Sequence, residues 1–133
     1  MYVGNEKLKP DMDLLAFLEN AEQPLLIMSL KTSLRERAGQ TMRWKLLLDV
    51  ARECPTLREK YGLNYHGHGR IFFVLLTTNF YKEMFTSQQM ANFRFFDSVY
   101  VARMLNKKEL SILKEKSFVK RLSKIIDDIN AFF

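Results

Sequence analysis

Two short segments near the start of the chain carry side chains that could act together on a phosphodiester bond. Asp11 and Asp13 lie in the first segment, directly after a proline, and Lys31 ends the second, two residues after Ser29. Carboxylate oxygens are ligands that Mg²⁺ prefers, and a lysine can orient an attacking water, help to deprotonate it, or offset developing charge. If these groups are adjacent, they predict metal-dependent hydrolysis, with Asp11 and Asp13 as the metal ligands.

The elements that must position these groups are two predicted strands. Residues 12–18 and residues 24–31 are mostly apolar, and residues 19–23 between them are polar. Two such runs separated by a short polar stretch predict a β-hairpin. We therefore expect the two segments to lie side by side.

The register of this hairpin decides whether the four polar side chains meet. A turn centred near Ala21 makes facing residue numbers add up to about 42, so Asp11 opposes Lys31 and Asp13 opposes Ser29. Residues two apart on a strand point to the same face. The predicted register therefore places all four side chains on one face, whereas a slip of one residue would separate them.

The remaining elements predict an α/β (α+β) fold with a mixed β-sheet flanked by helices. The predictions are a helix over residues 34–53, a buried central strand over 70–78, a helix over 79–95, a strand over 97–102 and an amphipathic helix over 106–133. A helical alternative for residues 97–102 stays open. The length of 133 residues predicts one domain.

A basic segment follows Lys31 and suits contact with nucleic acid. It contains Arg35, Arg37, Gln40 and Arg43, and the whole chain has a formal net charge of +6. A basic surface attracts phosphates, and an arginine near the start of a helix can bind one bidentately. A second basic group, within residues 107–121, falls on the predicted terminal helix, where a solvated face explains it equally well.

The acidic pair, the hairpin and the lysine together resemble a known nuclease motif. Pro10-Asp11 with Ser29-Leu30-Lys31 resembles the PD-(D/E)xK motif in its Ser-x-Lys variant, and residues 31–37 with Gln40 are similar to the segment after the catalytic lysine of certain type II restriction endonucleases. The resemblance covers residues 10–45. It implies a restriction-endonuclease-like fold with a metal ligand at Asp11 or Asp13, a catalytic Lys31 and a phosphate-contacting Arg37.

The resemblance also implies a function. It indicates an endonuclease of a restriction system that uses Mg²⁺ and hydrolyses double-stranded DNA, with Arg35, Arg37, Gln40 and Arg43 as DNA contacts. Because two strands present two scissile phosphates, a homodimer is the expected assembly.

The chain departs from this family pattern in three ways. Ser29 stands where most members have a carboxylate, and Trp44 and Lys45 occupy the helix positions from which Ser-x-Lys members typically recover one. Asp13, Glu36 and Asp49 are alternative sources of the missing carboxylate. The family core also has helical material before the first strand, so a member lacking N-terminal elements is a further expectation.

Other interpretations remain open from the sequence. The two aspartates can be solvent-facing carboxylates at an edge strand, and Lys31 an exposed lysine that protects that edge. His66 and His68 lie on a glycine-rich loop without further histidines to complete a metal site. Function can likewise be DNA binding without cleavage, or docking of a basic helix on a protein partner.

The cellular setting is bounded by three features. Cys54 is the only cysteine, which excludes an intrachain disulfide and suits a reducing compartment. No apolar run is long enough for a membrane span, and the N-terminus lacks a secretion signal. A cytoplasmic protein without a membrane partner is the expectation.

Overall fold

The computed structural model describes residues 1–19, 24–32, 37–67, 69–78, 86–114 and 118–133. These residues form eight strands, which are β1 (Tyr2–Val3), β2 (Glu6–Lys7), β3 (Leu14–Phe17), β4 (Leu25–Lys31), β5 (Leu63–Asn64), β6 (Ile71–Thr77), β7 (Ser98–Val101) and β8 (Val119–Arg121). They also form five α-helices, which are α1 (Arg37–Glu53), α2 (Pro55–Lys60), α3 (Ser87–Phe93), α4 (Lys107–Lys114) and α5 (Ile125–Phe132).

The main sheet has five strands in the order β3-β4-β6-β7-β8. Strand β3 is antiparallel to β4, whereas β4, β6, β7 and β8 are all parallel to their neighbours. The prediction of a mixed sheet flanked by helices is confirmed. Strand β6 lies in the middle, and its Phe73, Val74 and Leu75 are fully buried, as predicted for a central strand.

The predicted hairpin register is also confirmed. Leu14 faces Met28 and Phe17 faces Leu25, so each pair adds up to 42. The continuous apolar run on β4 fits its position, because β4 has a strand on either side and its first three residues are buried on both faces. The turn residues 20–23 lie outside the described part of the chain.

Two apolar layers cover the two faces of the main sheet. On one face, helix α1 contributes Ala38 and Leu48 to a cluster with alternate residues of β4, β6, β7 and β8. On the other face, Ile125 and Ile129 of α5 pack against a smaller cluster centred on Tyr100. Because strands alternate their side chains, every second residue of the parallel strands faces α1. No described helix combines the length and the apolar character needed to cross a membrane.

The prediction of one helix over residues 106–133 is wrong. The chain forms α4, then strand β8, then a short 3-10 turn at Leu122–Lys124, and then α5. Apolar residues keep a helical spacing across β8, so the sequence pattern does not show that the helix is interrupted. Val119 nevertheless packs into the sheet core, where it is 2% exposed and pairs with Val99.

Other boundaries shift or fall partly outside the described residues. The helical alternative for residues 97–102 is excluded, because Ser98–Val101 is a fully buried strand. Within the helix predicted over 79–95, the structure gives α3 at Ser87–Phe93, and residues 79–85 are not among those described. Helix α1 is described from Arg37, and the predicted start at residue 34 lies outside.

Two small elements were not predicted. Strands β1, β2 and β5 form a separate three-stranded sheet. Gly62, at φ +58°, directly precedes β5, and its carbonyl accepts a 2.8 Å hydrogen bond from the backbone N–H of Gly4, which directly follows β1. Pro55 ends α1 as predicted, but it also begins α2, since proline suits the first turn of a helix.

Candidate active site

The candidate site lies where strand β4 ends. Lys31 is the last residue of β4, on the face that α1 covers, whereas β3 begins only at Leu14. Asp11 and Asp13 therefore run beside the end of β4 just before the regular ladder begins. The hairpin delivers the two carboxylates to the lysine, as the register predicted.

Asp13 is held in place by both its backbone and its side chain. Its N–H donates to the Met28 carbonyl at 3.1 Å, and its Oδ2 accepts the Leu30 N–H at 2.6 Å. The Asp13 carboxylate thus accepts the Leu30 N–H in the place of a backbone carbonyl, which would accept it if β3 began earlier. Asp13 is fixed relative to β4 by the fold itself.

Lys31 is buried between the two carboxylates. Its side chain is 3% exposed, and its Nζ lies 2.9 Å from Asp11 Oδ2 and 3.3 Å from Asp13 Oδ2. A buried ammonium group is costly unless it is paired, and here two acidic partners compensate it. The interpretation of Lys31 as an exposed residue that protects a sheet edge is therefore wrong, since β4 also has strands on both sides.

The carboxylates themselves remain open to solvent. The side chain of Asp11 is 53% exposed and that of Asp13 is 43% exposed. Partial burial acts to raise the pKa of Asp13, but hydrogen bonds from the Leu30 N–H and the Lys31 ammonium group outweigh it. The pKa of Asp13 is consequently lower than its ordinary value, so this carboxylate is anionic and accessible at neutral pH.

Ser29 supports the site from within the sheet. It is fully buried, and its hydroxyl donates to Asp13 Oδ2 over 3.4 Å, which is a weak hydrogen bond. Next along the sheet, Thr77 of β6 pairs in register with Lys31 and is also fully buried. The sequence did not single out Thr77, and its one signal is a polar residue that ends an otherwise apolar strand.

The predicted DNA-contacting residues are partly described. Arg37 begins α1 and is exposed, and Gln40 and Arg43 are exposed on the same helix. Steps of three residues place these three on one side of α1, where all three are exposed. Their side chains make no hydrogen bond or ion pair with another described residue. Arg35 lies outside the described residues, as does Glu36.

The structure reduces the number of residues that could supply the carboxylate missing at Ser29. Both carboxylate oxygens of Asp49 accept hydrogen bonds from Lys45, at 2.7 and 2.6 Å, so Asp49 is neutralised within its own helix. Glu36 lies outside the described residues. Asp13 lies at the site and is the described residue that fits this role, next to Asp11.

The donor set at the site suits a hard divalent cation. The described residues contain no cluster of three or more His, Cys, Asp or Glu side chains that could enclose a metal ion. Mg²⁺ does not need such a cage, because it keeps several waters and is commonly bound through one or two carboxylates. Asp11 and Asp13 supply that number of carboxylates, and both are accessible. His66 is exposed, and its predicted companion His68 lies outside the described residues.

Comparison with models of known protein families gives a match that covers most of the chain. A family model described as BsaWI restriction endonuclease type 2 matches residues 1–128. The matched span contains the two carboxylates, the lysine and the whole five-stranded sheet. A search of curated proteins found no match.

Proposed function

The chain belongs to the BsaWI restriction endonuclease type 2 family, and on that premise we propose that it is a Mg²⁺-dependent endonuclease cleaving double-stranded DNA. The family places the chain among the nucleases of restriction systems. The observation that carries the finer proposal is the buried Lys31, whose ammonium group lies within hydrogen-bonding distance of two exposed carboxylates. A lysine that served only as a surface charge would not be 3% exposed.

Asp11 and Asp13 hold Mg²⁺ in this proposal. The chemistry that the ion supplies when bound is stabilisation of charge on phosphate oxygens and a lowered pKa of coordinated water. Asp13 is positioned by the Leu30 N–H and the Met28 carbonyl, so its carboxylate is already oriented before substrate binds. Asp11 is more exposed and has Lys31 as its described partner.

Lys31 acts on the attacking water and on the phosphate. Its ammonium group donates hydrogen bonds that orient the water and offset the negative charge that develops as the water oxygen bonds to phosphorus. The attacking water releases a proton to solvent, the bond from phosphorus to the leaving ester oxygen breaks, and that oxygen takes up a proton from solvent. The products are one phosphate monoester end and one hydroxyl end.

Arg37 binds the scissile phosphate or its neighbour. It stands at the described start of α1 and is exposed, and a guanidinium can bind a phosphate bidentately. Gln40 and Arg43 extend the exposed side of the same helix along the duplex, and Arg35 is proposed to join them. Residues 1–133 act as one nuclease-like domain, and two copies cut the two strands.

A plasmid-nicking assay on the purified chain tests this proposal. Supercoiled plasmid is incubated with the protein and Mg²⁺ or Mn²⁺, and in parallel with a chelator. We expect metal-dependent nicking and linearisation, and a loss of about 100-fold or more in Lys31→Met, Asp11→Ala and Asp13→Ala. Lys31→Met keeps a long side chain in the buried position, which separates loss of chemistry from loss of fold.

The matched control is Lys60→Ala. Lys60 is exposed on α2, where its Nζ lies over the Tyr61 ring, and this variant should cleave as the wild type does. Cleavage that survives all three site substitutions would overturn the site assignment. Salt-sensitive DNA binding without any cleavage would instead favour the alternative function, a nuclease-like protein that binds DNA and does not cut it.

A further inference from the structure

The main sheet carries a row of four residues that starts at Lys31 and ends at an arginine. Lys31 pairs with Thr77, Thr77 with Val101, and Val101 with Arg121. All four are the last residues of parallel strands, so they lie at one edge of the sheet. Ligands of open α/β sheets bind at this carboxyl edge.

The four side chains also share one face of the sheet. The residues two positions earlier, Leu75, Val99 and Val119 among them, pack in the core beneath α1. Alternation along each strand therefore directs Arg121 to the same face as Lys31. With about 4.8 Å between neighbouring strands, three steps separate their backbones by roughly 14 Å.

Arg121 lines an open cleft of about 400 Å³ at this edge. The loop after β7 forms the other wall, with Ala102, Arg103 and Met104, and Met104 is 94% exposed. Arg103 is paired with Glu109 at 2.5 Å, and Glu109 also accepts the Asn106 N–H in a reciprocal helix cap. These contacts fix the loop in place at the rim of the cleft.

Arg121, in contrast, is not paired with any acidic residue in the described part of the chain. It is exposed, and it makes no hydrogen bond or ion pair with another described residue. Its neighbour on β8, Lys120, is by comparison bound to Asp128 at 2.7 Å on the opposite face. An exposed guanidinium in a cleft, on the same face and edge as the candidate active site, is suited to an anion that extends from that site.

We propose that Arg121 binds a backbone phosphate of the same DNA duplex that occupies the Lys31 site, and that this phosphate enters the cleft between Arg121 and Met104. This inference rests on the proposed function for the identity of the ligand. A separation of roughly 14 Å is larger than the distance between neighbouring phosphates on one strand, which rise about 3.4 Å per step along the axis, so the contacted phosphate lies outside the cleaved bond. A phosphate contact strengthens binding to every sequence equally.

Fluorescence anisotropy with a 24-base-pair duplex of arbitrary sequence tests the proposal. The titrations are done with a chelator present, so that binding is measured without cleavage, and at several salt concentrations. We expect Arg121→Ala to weaken binding about tenfold at low salt and to reduce the slope of log affinity against log salt by about one. Arg121→Lys keeps the charge and should retain the wild-type slope.

Arg58→Ala is the matched control. Arg58 is an exposed arginine on α2, directly after the end of α1. At the end of α1, Arg52 donates a hydrogen bond to the carbonyl of Gly69, which precedes β6. This region is therefore next to the amino end of the parallel strands, opposite the end that carries Lys31. Wild-type affinity and slope are expected for this variant.

The outcomes separate this inference from the proposed function. If Arg121→Ala binds DNA with wild-type affinity and slope, the phosphate contact is refuted, whether or not the chain cleaves plasmid. If the affinity and slope fall as expected while no plasmid is cut, the contact stands and the nuclease activity fails. A wild-type chain with no DNA affinity at low salt would refute both.

Discussion

At the residue scale, the two carboxylates of the candidate site have different structural roles. Asp13 accepts the Leu30 N–H as well as the Lys31 ammonium group, whereas the contact of Asp11 with the described residues is with Lys31. Asp13 therefore contributes to the end of the β4 ladder, and Asp11 contributes chiefly charge. Substitutions at the two positions should separate these contributions.

We expect Asp11→Asn and Asp13→Ala both to remove cleavage, with Asp13→Ala the less stable of the two. Either change leaves Lys31 with one acidic partner, but loss of the Asp13 carboxylate also leaves the Leu30 N–H to solvent, which should cost about 1 kcal/mol more. Chemical denaturation followed by circular dichroism measures the difference. Equal stability of the two variants would contradict the structural duty assigned to Asp13.

The sequence predicted this cluster because hairpin register is a local property. An apolar run, a polar turn and a second apolar run determine which residues face one another, and the observed pairs at Leu14 and Phe17 follow that rule. The burial of Lys31 was not predictable in the same way. It depends on β6 and α1, which cover the lysine from parts of the chain remote from the hairpin.

At the element scale, Asp128 gives helix α5 a polar contact with the sheet within an otherwise apolar interface. Asp128 of α5 accepts hydrogen bonds from the Tyr100 hydroxyl at 2.5 Å and from Lys120 at 2.7 Å. Burial acts to raise the pKa of Asp128, but the bonds from Lys120 and Tyr100 outweigh it and lower the pKa. Burial and the bond to Asp128 raise the pKa of Tyr100.

The pKa of Asp128 gives this contact a defined pH dependence. A carboxylate with a lowered pKa stabilises the fold above its ordinary pKa of about 3.9, and this stabilisation is lost as pH falls through the lower folded value. We expect Asp128→Asn to be about 1–2 kcal/mol less stable than wild type at pH 7, with the difference closing below about pH 4. Denaturation at pH 7 and pH 3 measures it.

The adjacent acidic residue provides the control. Asp127 is 67% exposed and pairs with Lys124 at 3.1 Å, so Asp127→Asn should change stability little at either pH. If Asp128→Asn shows the same deficit at pH 3 as at pH 7, the ionised carboxylate is not the source of the stabilisation.

The strand that precedes α5 shows why element prediction failed at the C-terminus. Strand β8 has only three residues, and apolar positions before and after it continue the three- and four-residue steps of a helix. Its strand conformation is imposed by pairing with β7, which no local pattern encodes. This failure also hid Arg121, which the helical interpretation had placed on a solvated face.

At the scale of the whole molecule, the parallel strands order the proposed DNA contacts along one edge. Lys31 and Arg121 stand at the two ends of a row across four strands, and Arg37 begins the helix that follows the first of them. One chain thus offers one candidate active site and a path for one stretch of backbone. Cutting both strands of a duplex then calls for a second copy.

Mixing active and inactive copies tests this assembly. When the Lys31→Met variant is added in excess, most wild-type subunits should pair with a variant subunit. Each of these mixed dimers has one functional site. We expect the plasmid product to change from linear DNA to nicked circles, because a mixed dimer cuts one strand per encounter. Product ratios on agarose gels measure the change. If the inactive copy only dilutes the rate and linear product persists in the same proportion, single chains cut both strands in turn and the homodimer proposal fails.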